Sequence, residues 1–136
     1  MNRISEALTF QNVLAPQSVN ASTDKTTAYV DTSGGEEVVF LVSVAALGAN
    51  KSLTVTLLAA SDSRGSDAQE VKNAKFTDAV GTAPQMVVVT YRPNALHGRY
   101  VAVKFQHDAA AAVVCGVTAA ANSLYLPAAN SWTLVV

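Results

Sequence analysis

Chemistry-bearing residues are scarce in this chain: one cysteine, two histidines and one tryptophan in 136 residues. A lone Cys115 has no partner for an intramolecular disulfide, which excludes a disulfide-stapled scaffold. Its neighbours Val113, Val114 and Val117 are apolar, so the sequence predicts a buried, inert thiol. Charge is equally sparse. Nine basic residues stand against ten acidic ones, a formal net charge of −1, and a strongly basic nucleic-acid footprint is thereby excluded. Half the residues are apolar and 14% are charged, the reverse of a disordered chain. No run approaches the roughly 18 uncharged apolar residues of a membrane helix. The start, Met1 to Glu6, has no continuous apolar core of a signal peptide. The expectation is a soluble protein made in the cytoplasm, with neither nucleic acid nor membrane as a partner.

What the chain has in quantity is alanine and valine, 24 and 20 residues. The length suits one domain over 1–136, and the pattern is that of strands. In 37–46, Val38, Phe40, Val42 and Val44 share one face at period two. Val39 and Leu41 load the other face, which predicts a central strand covered on both sides at one end. In 52–60, Leu53, Val55, Leu57 and Ala59 alternate with Thr54 and Thr56. The short Gly48-Ala49-Asn50 connection predicts that these two strands form a hairpin. A polar loop follows at 61–67, then a short edge strand at 71–76 whose Lys72 and Lys75 discourage edge association. Strands at 85–91 and 100–105 come next, the latter with Val101, Val103 and Phe105 inward. The segment 109–121 is ambiguous: its alanine run favours helix, but Val113, Val114, Val117, Thr118 and Gly116 favour strand. It is read as strand. Turn signals about every ten residues indicate an antiparallel β-sandwich, jelly roll or small barrel of about eight strands.

No constellation of reactive residues emerges. His97 in Leu96-His97-Gly98 and His107 beside Asp108 have no ligand partners at metal spacing and read as solvated loop histidines. There is no Gly-x-Ser-x-Gly elbow, and Gly34-Gly35 lacks the Lys-Ser/Thr of a phosphate loop. Asp62, Ser63 and Asp67 do not match a calcium-loop spacing. No catalytic residue, metal or cofactor is therefore assigned, and the chain is not read as an enzyme. The termini are more informative. Ile4, Leu8, Phe10, Val13 and Leu14 precede Pro16, and Trp132, Leu134, Val135 and Val136 close the sequence. Polar tails are the usual case, so these apolar segments point to packing within the domain or onto a partner. We take 1–16 as an N-terminal arm and 123–136 as a C-terminal tail. Phe10, Leu14, Trp132 and Leu134 are candidate interface anchors. Arg92 and Arg99 are candidates for pairing with an acidic protein surface.

The order of these features resembles the head-decoration (cement) proteins of tailed bacteriophages. The residues that carry the resemblance are Val13-Leu14-Ala15-Pro16, the Phe/Val strand at 38–44, Leu53-Thr54-Val55-Thr56-Leu57-Leu58 with Ala60-Ser61-Asp62-Ser63, Gly98-Arg99-Tyr100-Val101-Ala102-Val103, and a small-residue strand ending near Leu126-Pro127. The resemblance spans 10–127 and leaves the tail unmatched. It implies a jelly-roll-like sandwich, a homo-oligomer (trimer before dimer), and a virion location on the capsid exterior. The implied partner is the phage major capsid protein, clamped after the shell expands. The alternative class is a carbohydrate-binding or adhesin-like module, which needs exposed aromatics. Trp132 and four tyrosines are available, with Tyr29, Tyr91 and Tyr100 expected within strands.

Overall fold

The computed structural model describes residues 4–33, 36–94 and 96–122. After a helical turn, α1 (Ile4–Ala7), the described chain is all strand: β1 (Leu8–Val19), β2 (Lys25–Thr26), β3 (Val30–Asp31), β4 (Val38–Val44), β5 (Lys51–Ala60), β6 (Gln69–Asp78), β7 (Gln85–Tyr91), β8 (Tyr100–His107) and β9 (Val113–Asn122). They form two sheets. Sheet 1 runs β1-β9-β4-β7, and sheet 2 runs β2-β8-β5-β6 with β3 also on β8. Every pairing is antiparallel. If β2 and β3 count as two pieces of one strand, the wiring is that of a jelly roll: a long hairpin of paired strands rolled so that its first and last strands lie side by side.

Period-two patterning builds the core, because alternate side chains of a strand point to opposite faces. Val38, Phe40, Val42 and Val44 of β4 face Leu53, Val55, Leu57 and Ala59 of β5 across the sandwich, with Val101, Val103 and Phe105 of β8 beside them. The segment 109–121 resolves as strand from Val113 onward. β9 lies between β1 and β4, where its Val113, Cys115, Val117 and Ala119 are buried. Interior position outweighs the helix propensity of the alanines. Burial raises the Cys115 thiol pKa to about 11, so at neutral pH it is protonated and inert.

Three expectations are corrected. β4 and β5 are not a hairpin: β4 pairs with β7 and β9, and β5 with β6 and β8. The 45–50 connection therefore crosses from one sheet to the other. It is held by Ala45 N–H on the Val114 carbonyl (3.0 Å), Asn50 N–H on the Asp78 carbonyl (2.7 Å) and a turn from Lys51 N–H to the Gly48 carbonyl (3.2 Å). The 78–81 turn seats against it so closely that a Cβ on Gly81 (φ +74°) would lie 2.0 Å from the Gly48 carbonyl carbon. A short Gly-containing connection fits a hairpin or a sheet-to-sheet crossing equally well, and non-local pairing chooses.

The second correction is His107. It is not a loop residue but the last residue of β8, 1% exposed. Its Nδ1 accepts from Ala109 N–H (3.2 Å), which leaves Nε2–H to donate to the Val19 carbonyl of β1 at 2.6 Å. The imidazole thus ties sheet 2 to sheet 1. At the opposite edge, Lys72 Nζ of β6 donates to the Thr90 carbonyl of β7, again joining the sheets. Tyr29 also departs from expectation. It lies between β2 and β3 rather than within a strand, and its ring occupies the space above Gly65.

Candidate functional site

The outward faces of the two sheets differ in chemistry. On sheet 2, Thr54 and Thr56 of β5 stand opposite Gln106 and Lys104 of β8 on one side, and Lys75 and Asn73 of β6 on the other. Lys104 Nζ lies 3.4 Å from Glu70. This face is polar and charged. On sheet 1, Leu41 stands between Thr118 and Val88, Val39 between Ala120 and Thr90, and Ser43 between Gly116 and Met86. None of these positions is charged. Among the described residues nothing covers them fully: Met86 is 60% exposed, Val88 56% and Val114 53%.

The face is not flat. β1 carries register shifts between Asn12 and Leu14 and between Leu14 and Gln17, which bend the strand and re-aim its side chains. Gly116 presents no side chain, and a Cβ there would sit 3.4 Å from Pro16. The result is an apolar groove of about 340 Å³ bordered by Phe10, Leu14, Pro16, Leu41 and Met86. A second apolar hollow continues from it past Val114 and Pro84. Exposed apolar surface of this kind is typical of sites that contact a protein, a membrane or a ligand.

Of the sequence-derived candidates, Phe10 and Leu14 meet at this groove. The segment 8–16, assigned above to the arm, is the first part of β1 and hydrogen-bonds along β9. Trp132 and Leu134 lie outside the described residues, as does the whole tail 123–136. Arg92 and Arg99 stand elsewhere, in the loops flanking 93–98. Arg92 is 4.0 Å from Glu37. Arg99 makes a two-point pair with Asp31, at 2.7 and 2.6 Å, and its guanidinium lies 5.4 Å from the Tyr100 ring centroid. That guanidinium already has its carboxylate. Met86, Val88 and Val114 were not singled out by sequence reasoning. The available signal was the second apolar face of β4, Val39 and Leu41, with the matching alternation of β7.

A separate polar hollow of about 240 Å³ lies between the 61–67 and 96–98 loops, lined by Ser61, Asp67, Gln69 and His97. Its carboxylates serve their own loop. Asp62 Oδ1 accepts from the Arg64 and Ser66 N–H groups at 3.0 and 3.1 Å. Asp67 accepts from Ser61 N–H at 2.9 Å and Ser61 Oγ–H at 2.6 Å. His97 Nδ1 is 3.3 Å from the Tyr91 hydroxyl. No cluster of three His, Cys, Asp or Glu that could hold a metal occurs among the described residues.

These bonds depress three carboxyl pKa values. Asp31 is lowered by Arg99, Asp62 chiefly by Ser66, and Asp67 chiefly by Ser61. A carboxyl held below its unfolded value, about 3.9, lends the fold support that is present above that pH and lost as pH falls through the folded value. Carboxyl-carbon NMR titration is therefore expected to give midpoints below about 3.9 for all three, with the 61–67 loop loosening only in strong acid. A midpoint at or above the unfolded value would show that the loop bonds do not persist in solution.

The sequence matches no protein-family model and no curated protein. Solved structures do share the fold. The PBSX exported protein XepA superposes with a TM-score of 0.59 at 9% identity over all of this chain and 44% of XepA. This chain thus spans less than half of that protein's length. Weaker likenesses are the cowpea mosaic virus empty particle (TM-score 0.49, 9% identity, 99% of this chain and 96% of that one) and a CBM4 module (0.43, 7%, 91% and 88%). The architecture is thus one found in solved proteins, an all-β sandwich of jelly-roll wiring. At these identities the likeness is one of fold.

Proposed function

We propose that this chain is a structural virion protein that binds the outside of a phage capsid and stabilises the major-capsid lattice after expansion. The observation that carries the reading is the uncharged apolar outer face of sheet 1 among the described residues. An exposed apolar face suits contact with a partner protein. The resemblance of the motif order to that of cement proteins supports the major capsid protein as the partner. The energetics follow from mass action. A protein that binds the expanded lattice and not the unexpanded one favours expansion by about 2.7 kcal/mol per site when its free concentration is a hundred times its Kd.

The test is co-sedimentation with phage capsids of both states. Saturable pelleting with expanded capsids, and none with unexpanded shells, is expected, and a Val88→Glu change should abolish it. Equal pelleting with both shells, or with neither, would dispose of the reading. The carbohydrate-binding alternative would use the polar hollow at Ser61, Asp67 and His97. Its aromatic neighbour Tyr91 is buried and offers no stacking platform. Specific glycan-array hits lost on Asp67→Ala would move the function there.

A further inference from the structure

An edge strand presents a row of backbone N–H and C=O groups that another chain can take up, and folds normally block such edges. Among the described residues, three of the four edges are blocked. β1 carries two register shifts and Pro16. β6 carries Glu70, Lys72 and Lys75 and a register shift opposite Leu57 and Leu58. β2 and β3 are two residues each. β7 is different. Gln85–Tyr91 has seven residues, none of them charged and none a proline, and it pairs with β4 in unbroken register. Among the described residues no strand lies on its other side.

Parity along β4 fixes which groups β7 offers. At the two ends of β4, the Glu37 carbonyl accepts from Asn122 N–H and Ala45 N–H donates to the Val114 carbonyl. Odd-numbered residues therefore turn their backbone groups to β9. Val38, Phe40, Val42 and Val44 turn theirs to β7, where they meet Tyr91, Val89, Val87 and Gln85. The N–H and C=O groups of Met86, Val88 and Thr90 are left on the free side. The Thr90 carbonyl accepts from Lys72 Nζ, and its second lone pair stays open.

The same strand of a second copy fits this edge. A two-fold axis through Val88 sets Val88 against its own copy, with Met86 against Thr90 on either side. All three pairs join outward-facing groups, so each exchanges two N–H···O=C bonds. An isologous contact brings residues near the axis against themselves, and like charges directly opposite one another are destabilising. β7 has no charge to meet its own sign. The two Lys72 ammoniums, seated at the Thr90 carbonyls, would stand about 14 Å apart along the strands, beyond a Debye length in physiological salt.

We propose that this protein forms a two-fold dimer by antiparallel pairing of β7 with β7 of a second copy, which makes sheet 1 continuous across both. One isologous edge closes at two copies, so the assembly is a dimer rather than the trimer that the cement-protein resemblance implies. The outer face of sheet 1 stays open on each copy, and the proposal stands apart from the capsid reading.

Sedimentation equilibrium from low micromolar to near-millimolar concentration, without capsids, tests it. A mass rising towards twice 14.1 kDa is expected. A monomer throughout, or a trimer, would overturn the proposal and leave capsid pelleting untouched. Val88→Pro removes an N–H that faces away from β4, a position where an edge strand tolerates proline. It should leave only monomer, with unchanged β-sheet circular dichroism, and a dimer that survives it would place the contact off this edge. Charge gives a check that a folding defect does not imitate. Val88→Lys and Val88→Glu should each be monomeric alone and form mixed dimers when combined. No association on mixing would also overturn the pairing.

Discussion

Replacing His107 with alanine is expected to cost the fold about 3–5 kcal/mol, a large part of the 5–15 kcal/mol that holds a domain of this size together. Two effects add. Removing a side chain that is 1% exposed leaves a cavity between the sheets. It also strands two buried backbone groups, the Val19 carbonyl and the Ala109 N–H, each worth about 1–3 kcal/mol when left without a partner. His107→Gln, which carries one donor and one acceptor, should recover part of the loss, whereas His107→Leu should fill the space and recover little. Urea unfolding followed by circular dichroism gives the midpoints. A loss under about 1 kcal/mol for the alanine variant would mean that the bond between the sheets is replaced by water.

Phe40→Ala is expected to be as severe, about 3–5 kcal/mol, for a purely apolar reason. Phe40 is fully buried, stands between Val89 and Ala119 in sheet 1, and is, with Phe105 and Tyr91, one of three aromatic side chains in a core built mostly of valine, leucine and alanine. Small neighbours on strands fixed by hydrogen bonds cannot close over the hole, so the cavity term is paid in full. Phe40→Leu keeps most of the volume and should lose about 1–1.5 kcal/mol. On the neighbouring strand, Val88→Ala removes an exposed side chain and should stay within about 0.5 kcal/mol of the parent. Thermal unfolding of the three variants checks the order. Equal losses at 40 and 88 would contradict the assignment of inner and outer faces.

Strand positions were largely legible because their signal is local. The alternation Leu53, Val55, Leu57, Ala59 sets which side of β5 is buried whatever the strand pairs with, and the same holds for Val101, Val103 and Phe105. Even β9 could be read, since its valines and Gly116 outweigh the alanine run. The doubly apolar β4 was informative in another way. Val39 and Leu41 indicated a second covered face, and that face proves to be the candidate site.

Pairing was not legible, because it joins residues far apart in sequence. The turn at 48–50 is compatible with a hairpin, but β4 gains more by lying between β7 and β9, burying its inner face against β5 across the sandwich rather than beside it. His107 read as a loop residue because nothing nearby in sequence shows that the Val19 carbonyl, 88 positions away, would need its Nε2–H. Arg99 read as a candidate for pairing with an acidic protein surface for the same reason, its partner Asp31 being 68 positions distant. Composition and period alone thus determined an all-β chain with a small-residue core. Which strands became neighbours, and so which apolar residues faced outward together as one groove, was decided by tertiary structure, because only closure of the two sheets brings β1, β4, β7 and β9 side by side.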